Sequence, residues 1–255
     1  MRKRLDQYLA DAGYFESRAR AKAAVMEGAI TVDGRADMKP GSQVSGLERV
    51  EVLAPKRRYV SRGGVKLAGA IEDFGIDVSG RSVLDVGAST GGFTDYLLQA
   101  GARRVVALDV GRGQLHWKLR QDERVTVLEG FNARELTGAV LPFEPDFAVI
   151  DVSFISLKKV IEPVLTVMAK DGDVIALVKP QFEAGIGMAP KGVVRDPAVH
   201  KRVLTEINDW LKERGLTIGG VTPSKIKGPK GNVEFFITIS KTHNGVKPYY
   251  AFCDR

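Results

Sequence analysis

Residues 83–94 read Val-Leu-Asp-Val-Gly-Ala-Ser-Thr-Gly-Gly-Phe-Thr, a short apolar run that enters a glycine-rich turn and then opens a helical pattern. Val83, Leu84 and Val86 suit a strand buried on both faces, and Gly87, Gly91 and Gly92 let the backbone turn sharply and approach a ligand closely. Such a junction is expected to cradle a nucleotide cofactor. Its spacing is G-x-x-x-G-G and not the G-x-G-x-x-G of dinucleotide folds, so a pyrophosphate on the helix N-terminus is not the first expectation. Asp85, two residues before the first glycine, has no use in a pyrophosphate site and suits a cationic ligand.

Outward from this stretch, apolar runs alternate with helical periodicity. Strands are predicted at 82–86, 104–109, 125–128, 146–150 and 173–178, with helices at 66–74, 92–100, 113–120, 156–169 and 197–214. In the last of these Asp196 caps, Pro197 occupies the first turn, Val199, Val203, Ile207, Trp210 and Leu211 form the stripe, and Gly215 stops it. Two final strands, 216–221 and 233–239, flank the basic loop Pro223–Gly231, where a hairpin reverses the chain. The alternation predicts an α/β chain with a doubly wound, Rossmann-like parallel sheet.

In an open parallel sheet, ligands lie in the crevice beyond the carboxyl ends of the strands. Asp109 ends the second strand 18 residues after Gly91, where an acid can accept both ribose hydroxyls of an adenosine. Asn132 and Ala133, after the third strand, fall where an adenine ring is contacted. Asp151 ends the fourth strand and Lys179 the fifth, and Glu234 opens the antiparallel last strand at the same edge. Lys66, on the helix before the first strand, reaches the same crevice. Each of these charges alone is as well explained by a surface position; four at strand or helix ends are not.

The amino-terminal part has a different character. Leu5, Tyr8, Leu9 and Ala12 fall on one face of a short helix closed by Gly13, and Ser17 caps a second helix that carries Arg18, Arg20 and Lys22 and stops at Gly28. Cations in a first turn oppose the helix dipole, which an anionic partner would offset. Two strands follow, at Ala29–Gly34 and Gln43–Leu53. Residues 1–58 hold 12 Lys and Arg against 8 Asp and Glu, so more than half of the net charge of +7 sits in under a quarter of the chain. That asymmetry predicts phosphate contacts. The run Lys56-Arg57-Arg58-Tyr59-Val60-Ser61-Arg62-Gly63-Gly64 reads as a hinge between two domains, with cations placed to touch RNA, or as a plain solvated linker.

Composition narrows the classes further. With 44% hydrophobic and 27% charged residues over 255 positions, the chain is expected to form a small and a large globular domain. Its opening, Met-Arg-Lys-Arg-Leu-Asp, lacks the apolar core of about 7 to 15 residues that a signal peptide needs, and no run approaches the roughly 18 of a membrane span. A cytoplasmic location is expected. Cys253 has no partner for an internal disulfide, and His116, His200 and His243 are too scattered to assemble a zinc-type ligand set, so no metal is expected.

Several motifs resemble known families. The glycine turn resembles the first motif of S-adenosylmethionine-dependent methyltransferases, which implies S-adenosylmethionine as cofactor, held by Asp85, Gly87, Ala88, Ser89, Gly91, Gly92, Phe93, Thr94, Asp109, Asn132 and Ala133. Residues 3–53, with R-L-D-x-x-L, S-R-x-x-A and G-x-I-x-V-x-G, resemble the alpha-L RNA-binding domain of a small-subunit ribosomal protein; Arg4, Arg18, Arg20 and Lys22 are its expected RNA contacts. The order Lys66, Asp151, Lys179, Glu234 resembles the catalytic tetrad of FtsJ-like RNA ribose 2′-O-methyltransferases. Four blocks, S-R-G-G-x-K-L (61–67), D-V-S-F-I-S-L (151–157), K-P-Q-F-E (179–183) and K-G-V-V-R-D (191–196), are similar to the TlyA, haemolysin A-like, ribosomal RNA methyltransferases.

The resemblance implies a small α+β RNA-binding domain at 1–58, a methyltransferase domain at 59–241 and a tail at 242–255 that matches no element. It implies ribosomal RNA or ribosomal subunits as partner and cytidine as the modified nucleoside; the sequence leaves the oligomeric state open between a monomer and a weak dimer. A ribose 2′-hydroxyl must lose its proton to act as nucleophile, and Lys179, made neutral by burial and by the charge of Lys66, is expected to take it, with Asp151 and Glu234 orienting the lysines. D-V-S-F after the fourth strand, in place of N-P-P-Y or D-P-P-Y, points away from base nitrogens. Two other readings stay open, a membrane-active cytolysin and a catalytically inactive ribosome assembly factor.

Overall fold

The computed structural model describes residues 2–15, 17–26, 29–35, 38–52, 59–185, 187–240 and 249–250. The chain divides into two compact units, Met1–Arg58 and Tyr59–Arg255. The expected helix stop at Gly28, the cations Lys56 to Arg58 and all of the tail but two residues lie outside the described residues.

In the first unit, β1 (Lys3–Arg4) leads directly into α1 (Leu5–Asp11), followed by α2 (Arg18–Met26), β2 (Ile30–Val32), β3 (Gln43–Val44) and β4 (Val50–Val52). β1 pairs with β3 and β2 with β4, both antiparallel. Leu5, Leu9, Ala21, Val25, Ile30, Val32 and Val44 form its core. The single strand predicted for 43–53 is two, because the chain folds back at Ser45 and Gly46. There the Glu48 carboxylate accepts from both backbone N–H groups and from the Ser45 hydroxyl, and these bonds hold its pKa down to about 2.

The second unit contains α3 (Arg62–Phe74), β5 (Ser82–Val86), α4 (Gly92–Gln99), β6 (Arg104–Asp109), α5 (Trp117–Arg120), β7 (Val125–Glu129), β8 (Phe147–Ile150), α6 (Lys158–Val167), β9 (Asp173–Val178), α7 (Pro180–Glu183), α8 (Pro197–Lys212), β10 (Thr217–Pro223), β11 (Phe235–Ser240) and β12 (Tyr249–Tyr250). They build one sheet in the order β12-β10-β11-β9-β8-β5-β6-β7. β5 to β9 are parallel to one another, β11 runs antiparallel to β9 and β10, and β12 lies parallel to β10. Part of the tail therefore extends the sheet, although its sequence matches no element.

The sheet is covered on both faces, as the continuous apolar strands require. On β5, Leu84 and Val86 join a core with Ile161, Val164, Val203 and Ile207 from α6 and α8. Val83 faces Leu67, Ala70, Phe93 and Leu97 of α3 and α4 on the other side. From β5 the chain winds outward through β6 and β7, then returns to the opposite flank of β5 with β8 and β9. The gap between β5 and β8 is the topological switch point, where a doubly wound sheet opens a crevice.

Two predicted boundaries move. α3 begins at Arg62 rather than Lys66, with Ser61 Oγ accepting from Gly63 N–H as its cap. The Gly63-Gly64 pair is helical and not a hinge: a side-chain carbon on Gly64 would come within 2.3 Å of the buried Tyr59 ring. The helix predicted at 113–120 shrinks to α5, because the backbone N–H groups of Gly113, Gln114 and Leu115 turn instead to the Glu129 carboxylate at 2.8, 3.1 and 3.2 Å. Among the described residues no helix is long and apolar enough to cross a membrane.

The Tyr59–Gly64 contact makes a stability prediction. Gly64→Ala should destabilise the protein by about 1 to 3 kcal/mol through overpacking, read as a lower denaturation midpoint with an unchanged slope. An unchanged midpoint would show that Tyr59 can move aside.

Candidate active site

At the switch point the end of β5 and the end of β8 come into backbone contact. Asp151 N–H donates to the Val86 carbonyl at 2.9 Å, and a side-chain carbon on Gly87, with φ 86°, would lie 2.5 Å from the Asp151 carbonyl oxygen. Only glycine permits this approach. Beside it lies a cleft of about 520 Å³, whose lining includes Gly87, Ser89, Asp109, Asn132, Ala133 and Asp151. That volume suits a small-molecule ligand.

Asp109 organises the cleft. Its Oδ2 accepts from Ser89 N–H at 2.8 Å and its Oδ1 from Gly111 N–H at 2.7 Å, so one carboxylate joins the glycine turn to the loop after β6. Ser89 takes the left-handed conformation with φ 49°. Glu129, the register partner of Asp109 on β7, holds the next part of that loop. The Arg120 guanidinium, together with the three backbone N–H groups, keeps the Glu129 pKa near 2. Asn132 Oδ1 accepts from Arg134 N–H at 3.1 Å and so caps the turn that places Ala133 in the wall.

Asp85, Ala88 and the residues from Gly91 to Thr94, also predicted to hold the cofactor, do not line the cleft. Gly91 and Gly92 are glycines because protein crowds them: side-chain carbons there would meet Leu119 at 2.2 Å and Ser61 Oγ at 2.1 Å. Ala88 is buried, and Phe93 packs in the core with its ring centroid 6.1 Å from that of Phe236. Asp85 is fully buried under the turn, its Oδ2 accepting from Thr94 Oγ1 at 2.6 Å and its Oδ1 left without a hydrogen-bond partner. Burial, reinforced by the Asp151 and Asp109 carboxylates, pushes its pKa up to about 7. An orphaned carboxylate oxygen beneath a nucleotide-sized cleft is the feature a cationic ligand group would complete.

The four charged residues predicted at the sheet edge form two ion pairs. Lys66 Nζ lies 2.6 Å from Glu234 Oε2, with both side chains almost wholly buried. Lys179 Nζ lies 2.5 Å from Asp151 Oδ1 and donates to Ser153 Oγ at 2.8 Å. β11 pairs with β9 through Phe235 and Val178, so one step further the register sets Glu234 opposite Lys179 and brings the two pairs to adjacent strand ends. The expectation that Lys66 acts on Lys179 by repulsion is corrected, because Glu234 matches the Lys66 charge. Ser153 was not anticipated from sequence, nor was Phe154, which lines the cleft 89% exposed with φ 64°. Only the position of D-V-S-F directly after β8 signals them.

In the amino-terminal unit, Arg4 and Arg18 are engaged with the buried Asp6. Arg4 bonds both of its oxygens at 3.1 and 3.0 Å, and Arg18 Nε lies 3.2 Å from Oδ2. Asp6 is thereby held below the usual carboxylate range, chiefly by the Arg4 hydrogen bond. Lys22 is exposed, and Arg20 N–H meets Ser17 Oγ at 3.3 Å, the predicted cap.

A parallel sheet with an acid-anchored glycine turn, and two lysine–carboxylate pairs at its open edge, defines a group-transfer enzyme of the methyltransferase class. The FtsJ-like methyltransferase model matches residues 59–241, and the chain belongs to that family. An S4 domain matches residues 3–47. The chain is 45% identical to the 16S/23S rRNA (cytidine-2′-O)-methyltransferase TlyA of Mycobacterium tuberculosis, with 93% of this chain and 90% of the relative aligned. It is 40% identical to Hemolysin A of Brachyspira hyodysenteriae, over 91% and 97%. A structure from Streptococcus thermophilus that bears the name hemolysin superposes with a TM-score of 0.75 at 39% identity, covering 98% of this chain and 91% of that one.

The elevated Asp85 carboxyl predicts a pH dependence. The folded state keeps a proton that the unfolded chain releases near pH 4, so stability falls as pH rises from about 4 to 7 and is lowest above that window. Each tenfold gain in proton affinity is worth about 1.4 kcal/mol. Asp85→Asn should flatten this profile and be the more stable protein at pH 8 than at pH 5 relative to wild type, measured by urea denaturation. A difference independent of pH would mean that Asp85 is ionised throughout.

Proposed function

We propose that this enzyme transfers a methyl group from S-adenosylmethionine to the 2′-hydroxyl of a cytidine in ribosomal RNA. The observation that carries this reading is the pairing of Lys66 with Glu234 and Lys179 with Asp151 at adjacent strand ends, with Asp151 lining the cleft. The names of the relatives, which specify cytidine-2′-O methylation, supply the substrate. S-adenosylmethionine, when bound, supplies a methyl group already activated by a cationic sulfur.

The chain's own residues do the rest. Gly87, Ser89, Asn132 and Ala133 would hold the cofactor, with Asp109 receiving its ribose hydroxyls and Asp85 balancing its positive charge. As a neutral amine Lys179 has two N–H groups, which Asp151 and Ser153 receive, and one lone pair, which is left for the proton of the target hydroxyl. Its role is to accept the hydroxyl proton, with Asp151 fixing the side chain. Lys66 and Glu234 fix the opposite side of the hydroxyl, and Gly228 closes against the unpartnered Glu234 Oε1. Holding the hydroxyl in line substitutes for what would otherwise be an improbable encounter.

We further assign residues 1–58 to RNA capture, 59–241 to chemistry and 242–255 to a tail. Arg20 and Lys22, with Arg4 and Arg18 around Asp6, form the basic face that would contact phosphates.

Lys179→Ala should fold and bind S-adenosylmethionine normally yet lose methyl transfer by a factor of about 10² to 10⁴, measured in single turnover on ribosomal RNA. Activity within tenfold of wild type would leave Lys179 with orientation alone. Removal of residues 1–58 should preserve cofactor affinity by calorimetry and abolish methylation of ribosomal RNA. A truncated protein that methylates at full efficiency would overturn the division of labour.

A further inference from the structure

The sequence contains the tripeptide Pro-Lys-Gly twice, at 190–192 and 229–231, 39 positions apart. In the fold the two copies form matching tight turns. Gly192 N–H donates to the Ala189 carbonyl at 2.8 Å and Gly231 N–H to the Gly228 carbonyl at 3.1 Å. At the third place of each turn, where glycine or asparagine is favoured, stands a lysine in the left-handed conformation, with φ 55° at Lys191 and 56° at Lys230. A lysine gains nothing conformationally there, since it must hold a backbone that its own Cβ opposes.

The turns are bound to each other by a buried residue. Asn232, 3% exposed, donates from Nδ2 to the carbonyls of Gly192 at 2.9 Å and Pro229 at 3.0 Å, and its Oδ1 accepts from Val194 N–H at 3.1 Å. Lys230 Nζ donates to the Lys191 carbonyl at 3.1 Å. Both lysines are exposed, and among the described residues neither ammonium has a carboxylate partner. The second turn also abuts the site already described: a side-chain carbon on Gly228 would lie 2.1 Å from Glu234 Oε1. Two exposed lysines thus stand on turns that Asn232 joins, with Lys230 two residues from the Gly228 that meets Glu234.

We propose that the paired Pro-Lys-Gly turns are a phosphodiester-binding site for the RNA strand that carries the target ribose, gripping phosphates beside the nucleotide being modified. A rigid pair of uncompensated ammonium groups suits adjacent phosphates of one strand, and phosphate contacts set position without reading sequence. The site rests on the reading of the enzyme as an RNA ribose methyltransferase and adds to it a grip on the strand separate from the amino-terminal domain. Lys191 and Lys230 are positioning residues: they act on the phosphate backbone and not on the reacting atoms.

The test is the double variant Lys191→Asn, Lys230→Asn, in the full-length protein. Asparagine accepts the left-handed conformation, so the turns persist without their charge. Expected are a thermal midpoint equal to or above wild type, unchanged S-adenosylmethionine affinity, and at least tenfold weaker binding to ribosomal RNA, with KM for RNA raised far more than kcat falls. The log–log dependence of RNA affinity on salt should flatten by about 1.4, roughly 0.7 for each phosphate contact on a single strand. A variant that equals wild type in RNA affinity and salt dependence overturns the site while leaving the methyltransferase reading intact. Weaker binding with an unchanged salt slope overturns it as well, because the loss then lies outside phosphate contacts. A wild-type protein that neither binds nor methylates ribosomal RNA overturns both readings together.

Discussion

An ammonium group and a carboxylate, almost wholly removed from water and 2.6 Å apart, join Lys66 on α3 to Glu234 at the start of β11. Burial of either charge alone would cost several kcal/mol, so each is tolerable only while the other is in place. That mutual dependence ties the first helix of the large unit to the antiparallel strand β11. β11 in turn forms the flank of β9 from which Lys179 emerges. The same contact leaves Glu234 Oε1 without a partner under Gly228, and a buried ion pair is often no more stabilising than apolar residues of equal volume. Its place at the open edge of the sheet accounts for the pair better than stability does.

The glycine stretch illustrates how one pattern can satisfy two demands. Gly87 brings β5 into backbone contact with β8 and lines the cleft. Gly91 and Gly92, by contrast, give way to Leu119 and to the cap of α3. The turn is rigid because protein surrounds it on these sides, and because Asp109 holds Ser89 from below. A cradle set in advance need not be ordered when a ligand arrives, which lowers the cost of binding. Asp85 shows the opposite economy, since its carboxyl is buried with one oxygen unanswered and its proton affinity raised to match.

In the small unit, charge serves structure before it serves binding. Asp6 is buried, and Arg4 and Arg18 are drawn onto it from β1 and α2. Arg18, in the first turn of α2, therefore has a compensation that the helix dipole argument lacked. Arg4 and Arg18 remain about half exposed on their outer sides, so the basic face persists around a neutralised centre.

The sequence by itself determined the sheet and the identity of its charged edge. Apolar runs in β5, β6, β8 and β9 are buried on both faces and leave no alternative period, and the cap and stop signals of α8 are local chemistry. Asp109, Asp151, Lys179 and Glu234 were legible because strand ends in a doubly wound sheet are where such residues collect. What only the tertiary structure decided was partnership. Lys66 with Glu234 and Lys179 with Asp151 are separated by many residues, and no local propensity says which cation meets which acid. The same holds for the shortening of α5 by Glu129 and the inward crowding of Gly91 and Gly92. In each case a carboxylate or side chain distant in sequence competes for backbone that local pattern assigns elsewhere, and proximity is settled by packing.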